Sequence, residues 1–393
     1  MNYLFTFLRM QYFFLSLRRI LKSTTMIDSN IPTSYISEDR TVGEIIENKL
    51  MELGMKQTEL AEITNISKSV ICDVIKGNRA ITAEMAVLIE CAIEIPAFVL
   101  MQVQALHDIE NASSSQRIQE LMYSIYEWSL IKKKIPVSVL KKLGEVGGNV
   151  KENVQNVLQM FEVKSAEELL KLKKSEQTAF LRRSYKIHFD EDTLFTWKHY
   201  CFHEASKVAI GISFKEENID LLTNELIKIF YENENTYSRV REAFFNAGIR
   251  LLYIDKVGQL PVDGMSFWRD NNPTVVLTRR MKNIDSFAFS TMHELGHVKH
   301  HLKKDQTEYI NFDTTERDSI EAKADEFAQN VFIEKNEWQR FMDNVKDINP
   351  FAIHKRIESL AKDKRINPQI LFGRYMHDTK QYRLRRVFET EIR

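Results

Sequence analysis

Two histidines four residues apart, with a glutamate directly after the first, stand at His293, Glu294 and His297. On a helix, positions i and i+4 leave the same face one turn apart, so both imidazoles can bind one Zn²⁺. Glu294 sits beside that face, where its carboxylate can take a proton from a water that the metal has acidified. The spacing suits metal-assisted hydrolysis of a peptide bond. Phe287, Phe289, Met292 and Leu295 give the same helix apolar positions, so it is expected to be buried, where unpaired histidines are costly.

A tetrahedral catalytic zinc takes a third protein ligand and keeps one open position. Downstream, residues 316–328 form a strongly helix-forming run in which Ile320, Ala324, Phe327, Ala328 and Val331 make the apolar stripe. Most acids in this run are expected to be solvated carboxylates. Glu321 and Asp325, again i and i+4, lie next to the stripe, so one of them can face the histidines across a helix pair; Glu321 is taken as the third ligand.

The pairing of His293-Glu294-Leu295-Gly296-His297 with Glu321, Ala324, Asp325, Phe327 and Ala328 some two dozen residues later resembles the ImmA/IrrE family of bacterial zinc metallopeptidases. That resemblance puts the ligands on His293, His297 and Glu321, the catalytic carboxylate on Glu294, and Zn²⁺ in the site. Residues 260–268 and 273–278 are similar to the strands that precede the zinc helix in the family. One departure is Glu334, where the family often has proline after the second zinc-side helix.

A second signal lies over residues 41–110. The helical period of Val42, Ile45, Ile46, Lys49 and Leu50 predicts a helix over Thr41–Leu53, ended by Gly54. A short helix over 56–63, a tight turn over 64–66 and a helix capped by Ser67 and stopped by Gly77 make a helix-turn-helix; further helices are expected over 82–93 and 97–109. The stretch resembles the Xre-type helix-turn-helix of bacterial and phage repressors. The resemblance places Gln57 at the start of the first motif helix. It aims Ser67, Lys68, Ser69 and Asp73 into the major groove and sets Lys76, Asn78 and Arg79 near phosphates. Residues 41–110 hold five Lys and Arg against eleven Asp and Glu, a net of −6. Any DNA affinity must therefore come from a local cluster, Lys68, Lys76 and Arg79, and the competing reading is a helical bundle for partner binding.

This helix-turn-helix, with Ile95-Pro96 opening another helix, is similar to the HigA antitoxin branch, some members of which carry an ImmA/IrrE domain at the C-terminus. The stretch Ile366–Tyr375 is similar to the end of those fused members. Between the two signals, a polar break over 111–116, an amphipathic basic segment over 128–143, a glycine turn over 144–148 and helices over 151–161 and 166–174 read as a connector. Lys132-Lys133-Lys134 and the tail residues Arg383, Arg385 and Arg386 read as solvated. Helices over 193–210 and 218–231 are expected to cover the zinc domain, with strands over 249–254, 264–268 and 274–278 beside it. His199 and His203 are also i and i+4, but without a neighbouring acid motif they read as ordinary packed or surface residues. His300 and His301 are expected to close the zinc helix, where a cation suits the dipole, and Tyr309, His354 and Arg356 are the candidates for stabilising an oxyanion.

Composition describes an ordinary globular protein: 28% of residues are charged, with 55 Lys and Arg against 55 Asp and Glu. Cys72, Cys91 and Cys201 form no CxxC pair and read as reduced thiols, which places the chain in the cytoplasm. Residues 1–22 are apolar and basic, but Arg9 interrupts the run and no small-residue cleavage site follows. They are expected to lie upstream of the natural start at Met26, with a weak interfacial anchor as the alternative.

The expected fold is mainly α with a small β-sheet. After a leader over 1–40 come an all-α, lambda repressor-like helix-turn-helix domain over 41–112, a helical connector over 113–190 and an α+β zincin-like domain over 191–393. The functional expectation is a DNA-binding transcriptional regulator, homodimeric on a double-stranded operator, whose zinc endopeptidase domain cleaves a repressor-type partner or the chain itself. The rival is a HigA-like antitoxin and autorepressor whose zinc domain senses a ligand or binds a toxin without turnover.

Overall fold

The computed structural model of the protein describes residues 40–181, 190–260, 262–278, 282–302, 308–312, 319–346, 348 and 350–393. Residues 1–39 of the expected leader, with Met26, lie outside the described residues. The described chain is mainly helical with one small sheet, and it divides into two compact units at Glu120/Leu121. No described helix is long and apolar enough to cross a membrane.

The first unit is built from α1 (Val42–Leu53), α2 (Gln57–Thr64), α3 (Lys68–Ile75), α4 (Ala83–Ile93) and α5 (Ala97–Ser114). Each boundary has a local cause. Thr41 and Glu44 form a reciprocal capping box on α1, while Ser67 and Thr82 accept from the third backbone N–H of α3 and α4. Ile45, Ile46, Leu60, Ile71, Val74, Ile89 and Leu100 point inward from all five helices and share one core. The polar break expected over 111–116 is shorter than the composition suggested. The Ser113 and Ser114 hydroxyls bond back to the carbonyls of Ile109 and Asn111, which carries α5 to Ser114.

In the second unit, α6 (Gln116–Lys134, which begins before the division), α7 (Val137–Lys142), α8 (Val150–Met160) and α9 (Ala166–Leu181) occupy the expected connector. The single basic segment expected over 128–143 is broken in two by Pro136, which lacks an N–H to donate into a continuing helix. These helices pack on α10 (Glu191–Ser206): Phe195 of α10 shares a core with Ile131, Leu140, Val157, Phe161 and Leu169.

After α11 (Asn218–Glu232) and α12 (Thr236–Asn246), the sheet forms from β1 (Arg250–Tyr253), β2 (Val262–Arg269), β3 (Asn272–Leu277) and β4 (Glu308–Phe312), in the order β1-β3-β2-β4. β1 runs parallel to β3, whereas β2 is antiparallel to both β3 and β4. Alternation along β2 separates two layers. Met265 and Phe267 face the core built on α10, with Trp197 and Cys201, while Ser266 faces the helix on the other side, α13 (Ile284–His300).

α13 packs against α14 (Ser319–Phe332), and α15 (Lys335–Val345), α16 (Pro350–Lys364) and α17 (Pro368–Thr379) complete the layer. The N-terminus of α13 has no side-chain cap. Its first N–H, on Ile284, instead donates to the Thr390 carbonyl at 2.8 Å, so the tail after α17 closes the helix start. Asn233 adds a second tie, donating through Nδ2 to the Glu391 carbonyl at 2.8 Å. Of the tail arginines expected to be solvated, Arg386 lies 3.8 Å from Asp285, a residue of the first turn of α13.

Candidate metal centre and nucleic-acid interface

His293 and His297 leave α13 on one face with their Nε2 atoms 3.0 Å apart. Glu321, in the first turn of α14, sets Oε2 3.1 Å from Nε2 of His293 and Oε1 3.4 Å from Nε2 of His297. Gly296 makes this meeting possible. A Cβ there would lie 3.1 Å from the Ala324 Cα and 3.2 Å from its carbonyl oxygen, so the two helix backbones approach closely at this point.

Behind the first histidine, the Asp325 carboxylate accepts from Nδ1–H of His293 at 2.9 Å, which orients the ring with Nε2 toward Glu321. Behind the second, Nδ1 of His301 lies 3.2 Å from Nδ1 of His297. Burial pushes the His301 imidazole down to about 4, so at neutral pH it is uncharged and can accept from His297. Burial opposes ionisation of Glu321, but hydrogen bonds from the two histidines and their charges outweigh it and hold this carboxyl down at about 2. A cation among them, whether a proton on an imidazole or a metal ion, draws two imidazole nitrogens and an ionised carboxylate together at 3.0–3.4 Å. The donor set, two nitrogens and one carboxylate oxygen, fits a divalent transition metal.

Glu294 is fully buried, and desolvation raises its carboxyl above the usual range against the lowering effect of both histidines and of a Ser266 hydrogen bond. The Ser266 hydroxyl donates to Oε2 at 2.5 Å and so fixes the carboxylate plane. Oε1 makes no hydrogen bond among the described residues. Gly264 leaves the space for it: a Cβ there would come within 2.3 Å of Oε1. That glycine follows an irregularity in the β2–β4 pairing between Val262 and Gly264, a local re-aiming of the strand of the sort found beside reactive sites. Of the oxyanion candidates, the His354 ring lies 3.1 Å from the Arg385 carbonyl and packs on Phe372 and Phe388, committed to the tail. The side chain of Tyr309 lies outside the described residues.

In the first unit, α2 and α3 meet through the turn at Asn65, whose φ of 54° is in the left-handed region that asparagine tolerates. Gln57 is the first residue of α2 and is half-buried. Ser67, Lys68 and Ser69 are exposed at the start of α3, although the Ser67 hydroxyl is already engaged as the helix cap. Asp73 and Lys76 continue the face of Ser69 at i+4 and i+7, with Asp73 half-buried. The loop after α3 turns back on it, the N–H groups of Asn78 and Arg79 donating to the Asp73 carbonyl at 2.8 and 3.2 Å. Lys76, Asn78 and Arg79 are thereby presented together, all exposed.

Residues 46–100 match the helix-turn-helix family model, and residues 246–350 match the peptidase family model described as the IrrE N-terminal-like domain. The chain thus holds one stretch similar to a helix-turn-helix and another similar to the IrrE N-terminal-like domain. A solved structure described as a hypothetical protein from E. coli is 27% identical, covering 22% of this chain and 88% of that one, with a TM-score of 0.21. No curated protein matches. The helix-turn-helix is an element that binds double-stranded DNA, and the IrrE-like match spans β1 to α15 with every residue of the His293, His297 and Glu321 cluster inside it.

Within the IrrE-like domain, the residues that sequence reasoning missed are those that hold the ligands rather than the ligands themselves. Ser266 and Gly264 lie about thirty residues before Glu294, in a strand that carries no motif. Asp325 was visible as the i+4 neighbour of Glu321, yet spacing alone does not sort a ligand from the carboxylate behind a ligand. His301 is the C-cap of α13, as expected, and its ring also lies against the rear of His297. His199 sits among Phe161, Phe195 and Phe202, packed as expected.

Proposed function

We propose that this chain is a DNA-binding transcriptional regulator whose IrrE-like domain is a zinc-dependent endopeptidase acting on a repressor-type partner or on the chain itself. The observation that carries the reading is the convergence of His293, His297 and Glu321 beside a buried glutamate, Glu294, one carboxylate oxygen of which has no partner among the described residues. His293, His297 and Glu321 would hold the metal. When bound, Zn²⁺ supplies a Lewis acid that polarises a carbonyl and acidifies water.

The chain's own residues divide the rest of the work. Asp325 and His301 fix the tautomers of His293 and His297, so that Nε2 of each is the donor atom. Ser266 holds Oε2 of Glu294, and Oε1 receives the proton of the attacking water and later returns it to the leaving amine. The raised affinity of Glu294 for a proton suits both halves of that task. On the DNA side, Lys68, Ser69 and Asp73 would face base edges, Gln57 and Ser67 would lie at the helix starts beside the groove, and Lys76, Asn78 and Arg79 would contact phosphates of an operator bound by a homodimer.

A non-catalytic reading, an antitoxin and autorepressor of the HigA kind that uses the metal domain to sense a ligand or bind a toxin, rests on the enclosure of Glu294 and His297, both wholly buried. The test is to express wild type or Glu294→Gln with the regulator encoded by the neighbouring gene and follow both proteins by blot, with and without DNA damage. Partner or self cleavage that disappears in Glu294→Gln supports the peptidase. Full-length partner and self in every condition, with normal promoter repression by the variant, sinks it in favour of the antitoxin.

A further inference from the structure

On the opposite face of the sheet from His293, α10 carries a second convergence of metal-binding side chains. Glu145, in the glycine turn after α7, meets His203 and Glu204 of α10, and one donor atom from each lies within 4.8 Å of the others. The three do not share the environment of ordinary surface acids. His203 is only 8% exposed, and its imidazole makes no hydrogen bond among the described residues. A largely buried imidazole that meets two carboxylates in this way presents a mixed nitrogen and oxygen donor set for a cation.

The backbone under the cluster is anchored. The Glu145 N–H donates to the Leu140 carbonyl at 3.0 Å, and its own carbonyl accepts from Nδ2 of Asn156 at 3.3 Å, so the turn is tied to both α7 and α8. One cation already present competes: Lys207 places Nζ 2.7 Å from Oε1 of Glu204, but its side chain is 51% exposed and the pair is of the weak surface kind. Next to Glu204 lies a pocket of about 340 Å³, lined also by Lys142, Tyr200 and Lys256.

We propose that Glu145, His203 and Glu204 form a second metal site, distinct from the His293 cluster, that takes a divalent transition metal of the Zn²⁺ type through one imidazole nitrogen and two carboxylates. The mixed nitrogen and oxygen donors favour such an ion over Mg²⁺ or Ca²⁺, which prefer all-oxygen sites. Occupancy pins the 144–148 turn onto α10 and so joins the helices before the IrrE-like domain to the layer under its sheet. The site does not depend on whether the first centre turns over substrate.

The test is calorimetric titration of the full chain with Zn²⁺ and, separately, with Mg²⁺. Wild type is expected to show two Zn²⁺ binding events and no comparable Mg²⁺ event. Glu145→Gln and His203→Ala should leave the tighter event in place and weaken the other by about tenfold or more, at least the loss seen when an outer partner of a ligand is removed. Lys207→Ala should tighten the second event by about two- to fivefold, the worth of an exposed ion pair. A chain with His293→Ala and His297→Ala should keep only the event that Glu145→Gln weakens. A single binding event in wild type, or a second event that none of Glu145→Gln, His203→Ala and Lys207→Ala alters, overturns the site.

Discussion

Two glutamates of one cluster are driven in opposite directions by what surrounds them. Burial raises Glu294, whereas the half-buried Glu321 is held down at about 2 by two imidazoles. One therefore favours holding a proton and the other favours a permanent charge, which is the division that an acid–base group and a metal ligand require. Replacing Glu321 by Ala should remove one equivalent of metal, as should His293→Ala or His297→Ala, measured by elemental analysis of purified protein. At Gly264, a methyl group would meet Oε1 of Glu294 at 2.3 Å. Gly264→Ala is accordingly expected to lower cleavage by on the order of 10²-fold, as for a misplaced catalytic group, with metal content unchanged. A protein that loses its metal along with its activity would show that Gly264 serves the ligands and not the base. Asp325→Ala leaves the three ligands present but frees the His293 ring; metal affinity should fall about 10- to 100-fold in competition with a chromophoric chelator.

At the scale of elements, the site depends on how closely α13 and α14 can approach. Gly296 is where they touch, with no room for a side chain beside Ala324 and Phe327. Gly296→Val should push the helices apart, costing about 1–3 kcal/mol in denaturant unfolding and weakening metal binding at the same time. A variant of full stability and full metal affinity would mean that the helices cross elsewhere. The same contact explains what the sequence could and could not show. His293, Glu294 and His297 are neighbours on one helix, so a local period exposes them, and Glu321 follows from a second period. The strand partner Ser266, the glycine that admits Glu294 and the Thr390 carbonyl that closes α13 are set by tertiary contacts across 28 to more than 100 residues, for which no local pattern exists. Helix existence was legible from caps such as Thr41, Ser67 and Thr82, while Pro136 and the serine back-bonds at 113 and 114 decided boundaries that composition blurred. β4 has no such signature: its five residues, Glu308–Phe312, gain a strand conformation from pairing with β2.

For the whole molecule, a formal charge of zero and a net of −6 over residues 41–110 leave no general attraction to DNA. Binding must then depend on the exposed group at Lys68, Lys76 and Arg79, and Lys68→Ala should weaken operator binding and flatten its dependence on salt by about one counterion. A shift on promoter DNA no stronger than on random DNA at low salt would return the helix-turn-helix to partner binding. Because the chain forms two compact units with separate cores, a chelator should stop cleavage while leaving operator affinity intact. The most direct measurement is the rate at which purified, Zn²⁺-loaded chain cleaves the neighbouring regulator or itself, wild type against Glu294→Gln, with metal content measured in the same samples. If Glu294 is the base, the variant keeps its metal and its rate drops by on the order of 10²–10⁴-fold. Equal rates in the two proteins, or no cleavage by either at full metal occupancy, would contradict a peptidase site at Glu294.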